Sequence, residues 1–418
     1  MSARRAIVAG AGLAGLSAAV RLVEAGFAVR IADSAAQAGG RCRSYHDPQL
    51  GLTIDNGNHL VLAGNTAVAR FRATVGAREP LAGPAQADFA FADLSTGERW
   101  TIRINDGAVP WWVLARNRRV PGTGLSDYLA LARLLSGKAE QTVADRVPVR
   151  GALWERLLEP VLLAVLNTDP AIGSARLTAA VVRESLARGG KASLPRIAEP
   201  TLAAAFIDPA TAWLAARGAP VALGRRLRAI VTEGGRVVAL DWGNGPEPVG
   251  GDETVVLAVP PWVARALLPE IDAPDAFHAI VNAHFAIAPP PGAPPMLGLL
   301  GATAQWLFAF PDRISVTVSA ADAIVDEDRE ALARRFWDEI QRAYGFAAPL
   351  PKWQIVKEKR ATFSATPAQD AKRPPARTRW SNLFLAGDWT QTGLPATIEG
   401  ALRSGETAAR LAIVAAQR

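Results

Sequence analysis

Four short stretches of the chain carry residue types and spacings that suit one long anionic ligand. The first is Gly10-x-Gly12-x-x-Gly15 in "AIVAGAGLAGLSAAVRLVEAG". Between a strand and a helix, Gly10 permits a tight turn, Gly12 lets backbone approach a pyrophosphate, and Gly15 lets helix and strand pack closely. Leu13 and Ala14 would open the helix, whose free N–H groups and positive dipole end favour phosphate. Asp33, followed by Ser34, stands where an acid would accept ribose hydroxyls. The second stretch is "AGGRCRS", where backbone at Gly39 and Gly40 and the Arg41 guanidinium would converge on the same anion. The third is "IDNGNH", a turn signal of Asp55, Asn56 and Gly57 followed by His59. It would present Asp55 and His59 to a cofactor ring or a substrate, with His59 as a general acid titrating near neutrality. The fourth is "LFLAGDWTQTGLPATIEGALRSG". Gly387 and Asp388 end a buried strand, so Asp388 would meet a ribityl or phosphate-side hydroxyl. Leu394, Pro395, Ala396 and Thr397 then lead into a helix whose dipole would stabilise negative charge on a reduced flavin ring. Glu399 reads as an ordinary first-turn helix carboxylate. A strand edge near Leu227 in "VALGRRLRAI" would bond an adenine through its backbone.

The elements that must position these residues are legible as patterns. Residues 4–9 and "FAVRIAD" predict parallel strands around a helix over 14–25 that Gly26 ends, a βαβ unit. "ETVVLAVPP" predicts a fully buried strand ending at Pro260, and Gly234-Gly235 predicts a tight hairpin turn. From about 80 to 200 the signals turn helical. "LSDYLALARLLSG" has apolar helical spacing with Ser126 as N-cap, and "LWERLLEPVLLAVLN" is an apolar helix interrupted at Pro160. A second insertion over 274–351 holds the strand "RISVTVSA" and the amphipathic helix "DEDREALARRFWDEIQRAYG". The fold class is therefore α/β. A discontinuous Rossmann-like domain over 1–79, 205–273 and 352–418 is interleaved with an α+β substrate domain over 80–204 and 274–351. Residues 383–405 are expected to return to residues 4–60 in space, so that neither end binds the ligand alone.

Composition excludes several classes. The 418 residues are 50% hydrophobic and 20% charged, as in folded globular proteins. A single cysteine, Cys42, builds neither a disulfide framework nor a thiolate metal site, and it suits a reducing cytoplasm. The four histidines lack zinc-like spacing, so no metal is expected. The net charge of +7 comes without a basic cluster interleaved with aromatics, which argues against nucleic acid. Glycines interrupt the N-terminal apolar run, and prolines break the one over 285–310, so neither a secretory signal nor a spanning helix is expected. Any membrane contact is expected to be peripheral, on anionic lipid of the inner face.

Together the motifs resemble FAD-dependent enzymes of the amine oxidase and phytoene desaturase superfamily. "DNGNH", "PWW", "RRVPGTGLSDYL", "LWERLLEPVLLAVLNTDP", "EKRATFSATP" and "NLFLAGDWTQTGLPATIEGALRSG" are most similar to its squalene-associated branch, the hydroxysqualene dehydroxylases of bacterial hopanoid synthesis. Asp33 and Asn58 depart from that branch, where Glu and Gln are more usual. The resemblance implies non-covalent FAD, an electron donor that reduces it, and a long isoprenoid substrate, hydroxysqualene. Hydride from N5 of reduced flavin would reach an allylic carbon as hydroxyl leaves, assisted by His59 and Asp55. It also implies an apolar tunnel, which the Trp-rich segments and the helix around Leu157 to Leu166 would line. Within the superfamily a carotenoid-type desaturase or an amine oxidase is the alternative, and a non-catalytic flavin-binding scaffold is a third reading. A nicotinamide-only dehydrogenase needs neither the GGR loop nor the C-terminal block.

Overall fold

The computed structural model describes residues 4–417. β1 (Arg5–Ala9), α1 (Leu13–Glu24) and β2 (Ala28–Ala32) form the expected βαβ unit. Gly26, at φ +81°, turns the chain between α1 and β2. Five parallel strands make one sheet in the order Val221–Ala222, β2, β1, Glu253–Leu257, Leu383–Leu385. The two central strands are buried almost throughout, as a parallel sheet covered on both faces requires. Gly234 and Gly235, at φ +54° and +75°, close the hairpin of Ala229–Glu233 and Arg236–Asp241, as their dipeptide predicts.

The two ends of the chain meet, as expected. The C-terminal helix Ile398–Ala415 lies on α1 at backbone contact, because a Cβ on Gly405 would sit 2.2 Å from the Ala14 oxygen. Ser17 Oγ donates to Leu402 O at 2.9 Å across the same seam.

A seven-stranded mixed sheet forms the second layer, in the order Trp353–Phe363, Phe277–Phe285, Ile314–Val318, Trp306–Ala309, Met296–Leu300, Ala87–Asp93, Arg99–Ile104. Helix Arg329–Tyr344 buries Leu332, Phe336 and Ile340 in one cluster with Val281, Leu307 and Val316 of this sheet. The expected boundary at 352 shifts as a result. Residues 353–363 pair antiparallel with Phe277–Phe285 and belong to the larger sheet.

Two helix readings change in detail. Ser126 caps nothing through its side chain; Asp127 instead accepts from Gly124 N at 2.8 Å, and a short 3-10 turn precedes helix Leu129–Arg133. The interruption at Pro160 takes the form of a π-turn, Trp154–Leu158, running into helix Glu159–Leu166. Pro160 sits inside one continuous helical run over 152–166, directly after the wider π-turn.

Candidate functional site

The glycine loop is an open cradle. Gly10 sits at φ +110°, and a Cβ there would lie 2.3 Å from the Ala258 oxygen. A Cβ on Gly15 would lie 1.9 Å from the Gly10 oxygen, so loop and helix are in backbone contact. Gly12 faces space, with nothing within 4 Å of its Cβ position. The first bond of α1 runs from Leu16 N–H to Gly12 O at 2.9 Å. The N–H groups of Leu13, Ala14 and Gly15 therefore have no acceptor within the helix, and neither a capping side chain nor a first-turn acid competes for an anion. Gly39 N–H donates to Ala11 O at 2.8 Å, and Gly40 packs beside Gly12, which joins the GGR loop to the cradle. Asp33 braces the loop: Oδ2 accepts from Ala11 N at 2.6 Å and Oδ1 from Ala35 N at 2.8 Å. Ser34 beside it is exposed. Leu227 lies on no strand, contrary to the sequence reading. Gly224, at φ +69°, turns the chain so that Gly224 N bonds Ala35 O and Arg225 N bonds Asp33 O. That turn ends the short strand and leaves Leu227 as irregular backbone, buried, two residues past the contact with Asp33.

Arg41, next in the GGR loop, departs from a simple phosphate clamp. Its guanidinium donates to Asp388 Oδ1 and to Ala361 O, both at 2.7 Å. Asp388 is buried, and Gly387 sits at φ +152° with its N–H on Ser404 Oγ at 2.8 Å. Arg373, which no motif singles out, holds this loop from beneath. It is buried, and it donates to Asp370 Oδ1, Thr390 O, Asp388 O and Thr392 Oγ1 at 2.7–3.0 Å. Its spacing from Asp370, three residues back in the chain, was the only available hint. Leu394 and Pro395 are buried, Ala396 is half-buried, and Thr397 caps the helix by accepting from Gly400 N at 3.0 Å. Glu399, read as a first-turn carboxylate of its own helix, also caps another. It accepts from Ala67 and Val68 N–H, both at 3.0 Å, at the start of α2 (Thr66–Val75).

The DNGNH turn divides its residues. β3 (Ser44–Asp47) and β4 (Leu52–Asp55) form the hairpin that leads into it. Asp55 lies in an anchoring position. It is buried, and its Oδ1 accepts from Ser44 Oγ at 2.5 Å and from Leu202 N at 2.9 Å, at the start of the helical run through Asp208–Ala215. Burial pushes its carboxyl up to about 6, against the hydrogen bonds from Ser44 and Leu202. A raised folded pKa means that Asp55's contribution to stability is complete below about 3.8 and is lost as pH rises through about 6. Asp55→Asn is accordingly expected to keep cofactor and turnover and to flatten that loss, read from denaturant midpoints on either side of pH 6. Turnover collapsing in a variant that keeps its cofactor would restore a catalytic Asp55. Asn56 donates to Glu358 Oε2 at 3.2 Å, and Gly57 backs onto the Asn282 amide. His59 is half-buried beside Arg41 and Asp388. Desolvation, helped by the Arg41 charge, lowers its pKa to about 4, so it does not titrate near neutrality as the sequence reading expected.

A family model described as flavin containing amine oxidoreductase matches residues 13–413. The chain belongs to that family. It is a flavin-dependent oxidoreductase. It is 52% identical over 410 residues to the hydroxysqualene dehydroxylase of Rhodopseudomonas palustris, covering 98% of each chain. It is 50% identical over 406 residues to that of Zymomonas mobilis, covering 97% of this chain and 98% of the other. Among solved structures it is similar to cyclohexylamine oxidase from Brevibacterium oxydans, at TM-score 0.73, 17% identity and full coverage of both chains. An oxidoreductase from Methanosarcina mazei matches with TM-score 0.72 and 15% identity, over 96% of this chain and 99% of the other. At such identities these two establish the fold alone.

A flavin cofactor fits the residues present. The uncapped α1 terminus and the open side of Gly12 suit its phosphates, and the uncommitted N–H groups at the start of helix Ile398–Ala415 suit a ring that gains negative charge. Among the described residues no group of histidines, cysteines and carboxylates is arranged to hold a metal ion. No described helix is long and apolar enough to cross a membrane. One apolar cluster includes Trp154, Leu158, Leu162 and Trp389, with Ala396 packed against it.

Proposed function

We propose that the enzyme converts hydroxysqualene to squalene on the way to hopanoids, using FAD held without a covalent bond. The observation that carries this reading is 49–52% identity to three hydroxysqualene dehydroxylases over 97–98% of this chain. The buried Cys42, its thiol pushed up to about 12, supports non-covalent binding. Reduced FAD supplies a hydride. In the balanced reaction the allylic C–O bond breaks, a C–H bond forms, and the hydroxyl takes one proton and leaves as water. The glycine cradle, Asp33, Arg41 and Asp388 hold the dinucleotide and ribityl stretch, while the Thr397-capped helix faces the ring end. His59, neutral at working pH, assists the departing hydroxyl by hydrogen bonding and relay, not as a resident imidazolium.

Anaerobic addition of hydroxysqualene to dithionite-reduced enzyme should reoxidise the flavin and form squalene, identified by mass spectrometry. Flavin that stays reduced, or a desaturated product from the oxidised enzyme, would defeat the reading. A second expectation concerns pH. The free ring titrates near 6.5 and the folded one near 4, so stability contributed by neutral His59 is lost as pH falls through that window. Turnover should drop in His59→Ala protein that still holds flavin, with a pH profile between 5 and 8 shaped like the parent's. A step near 6.5 in the parent that vanishes in the variant would contradict this.

A further inference from the structure

Large apolar side chains left in water are concentrated in one place. Val109, Trp111, Leu114, Leu125, Leu129 and Leu135 are all exposed and all lie within 109–135. Val109 is 73%, Leu114 67% and Leu129 61% accessible. Elsewhere such residues are scattered, as Leu60, Leu223 and Val414 are. Single exposed apolar residues are ordinary, but a contiguous set marks a contact surface. Trp112 packs edge-on against Tyr128 with ring centroids 5.4 Å apart, which brings the 111–114 and 125–129 turns together. Arg146, in contact with Arg133 O and Ser136 O, ties the following turn to Leu135.

The segment is apolar on its inner side as well. Trp112, Val120, Tyr128 and Leu134 are buried in the cluster that includes Leu162 and Trp389. A segment with both faces apolar has no side suited to water. Its charges are one-sided: Arg116, Arg118, Arg119 and Arg133 stand against the single acid Asp127. Among the described residues none of these four guanidiniums lies in an ion pair, whereas nearby Arg103 and Arg156 pair with Asp88 and Glu98. Asp127 is itself engaged by the Gly124 N–H. The Arg118 guanidinium lies 4.7 Å from the centroid of the exposed Trp111 ring, so charge and aromatic share one edge of the patch.

From this arrangement we infer that residues 109–135 form a monotopic docking surface for an anionic phospholipid bilayer. Leu114, Leu125, Leu129 and Trp111 enter the headgroup–acyl boundary, and the four arginines meet lipid phosphates. A second copy of the chain suits the patch poorly, because a two-fold contact would press the same unpaired arginines against each other. The bilayer contact rests on exposure and charge alone. That it feeds a lipid substrate to the apolar cluster behind it rests on the function proposed above.

The test uses the flavin-loaded full chain and sedimentation with vesicles of phosphatidylcholine, with or without phosphatidylglycerol. Binding to the anionic vesicles is expected, weakening with salt and with loss of phosphatidylglycerol. Leu114→Gln with Leu129→Gln should weaken it roughly tenfold. Arg116→Gln with Arg118→Gln should abolish the anionic preference. Leu60→Gln with Leu223→Gln, which removes exposed apolar residues elsewhere, should leave binding as in the parent. Flavin content and melting temperature check that each variant is folded. The proposal is overturned if the parent stays in the supernatant, if the control pair matters as much as the patch pair, or if the patch pair only dissolves a vesicle-independent dimer. Turnover of hydroxysqualene in detergent separates the two readings. Turnover without vesicle binding defeats the surface alone, and vesicle binding without turnover defeats the proposed reaction alone.

Discussion

Gly12→Val and Gly15→Val should both strip the protein of flavin, but only the second should also weaken the flavin-free fold. Gly12 has φ −73°, which any residue adopts, and its Cβ position meets nothing within 4 Å. A side chain there costs the empty protein little. It occupies the open side of the cradle, where a pyrophosphate must approach the α1 N-terminus. Gly15 differs because its Cβ would fall 1.9 Å from the Gly10 oxygen and 3.2 Å from Ala258 Cβ. α1 has no free direction in which to retreat, since Gly405 holds the C-terminal helix against its other side at backbone distance. Overpacking of this kind costs about 1–3 kcal/mol, and the displaced helix end no longer points at the ligand. Flavin-to-protein ratios from visible absorbance, with urea midpoints of the flavin-free forms, separate the two effects. Comparing flavin-free forms matters because bound ligand raises apparent stability by mass action. Stoichiometric flavin in Gly12→Val would show that the cradle is not where the cofactor's phosphates bind.

The pair also marks what was legible in the sequence. The turn of the glycine loop and the start of the C-terminal helix could be read because each is a local device whose spacing states its geometry. The βαβ unit and the buried strand Glu253–Leu257 were legible for the same reason, as continuous apolar runs bounded by turn residues. Readings failed where a partner comes from far along the chain. The anchoring of Asp55 was hidden because the sequence does not show Leu202 N–H, 147 positions on, bonding its carboxylate. His59 looked like a neutral-pH acid because its burial and the neighbouring Arg41 charge exist only in the fold. "WQIVKEKRATF" was not read as a sheet strand because Lys359 and Arg360 interrupt its alternation at an exposed stretch, while Ile355, Ala361 and Phe363 are buried. Arg373 was the most hidden. A basic residue in "DAKRPPART" reads as solvated surface, and its acceptors at 388–392 lie on the far side of a strand.

Arg373→Met is therefore the most severe substitution expected outside the glycine cradle. The guanidinium is almost fully buried, stacks 4.9 Å from the centroid of Phe363, and meets four oxygens on two segments. Methionine fills much of the volume but leaves the carbonyls of Asp388 and Thr390 and the Thr392 hydroxyl without this donor. It also leaves Asp370 with only Arg176, whose side chain is about half exposed. Removing one partner of a buried pair costs about 3–5 kcal/mol, because the remaining charge and acceptors stay desolvated. The Gly387–Thr392 turn then loses its anchor, and Asp388 is no longer held against Arg41. Arg373→Lys keeps the charge but not the planar fork that reaches several acceptors at once, so an intermediate loss is expected. Arg176→Met touches the same carboxylate from its exposed side and should cost much less. Urea midpoints and flavin dissociation constants should place Arg373→Met as the most damaging, Arg373→Lys next and Arg176→Met last. An Arg373→Met protein with the parent's midpoint and full flavin would mean that the loop is held by its own turn geometry and that Arg373 only fills space.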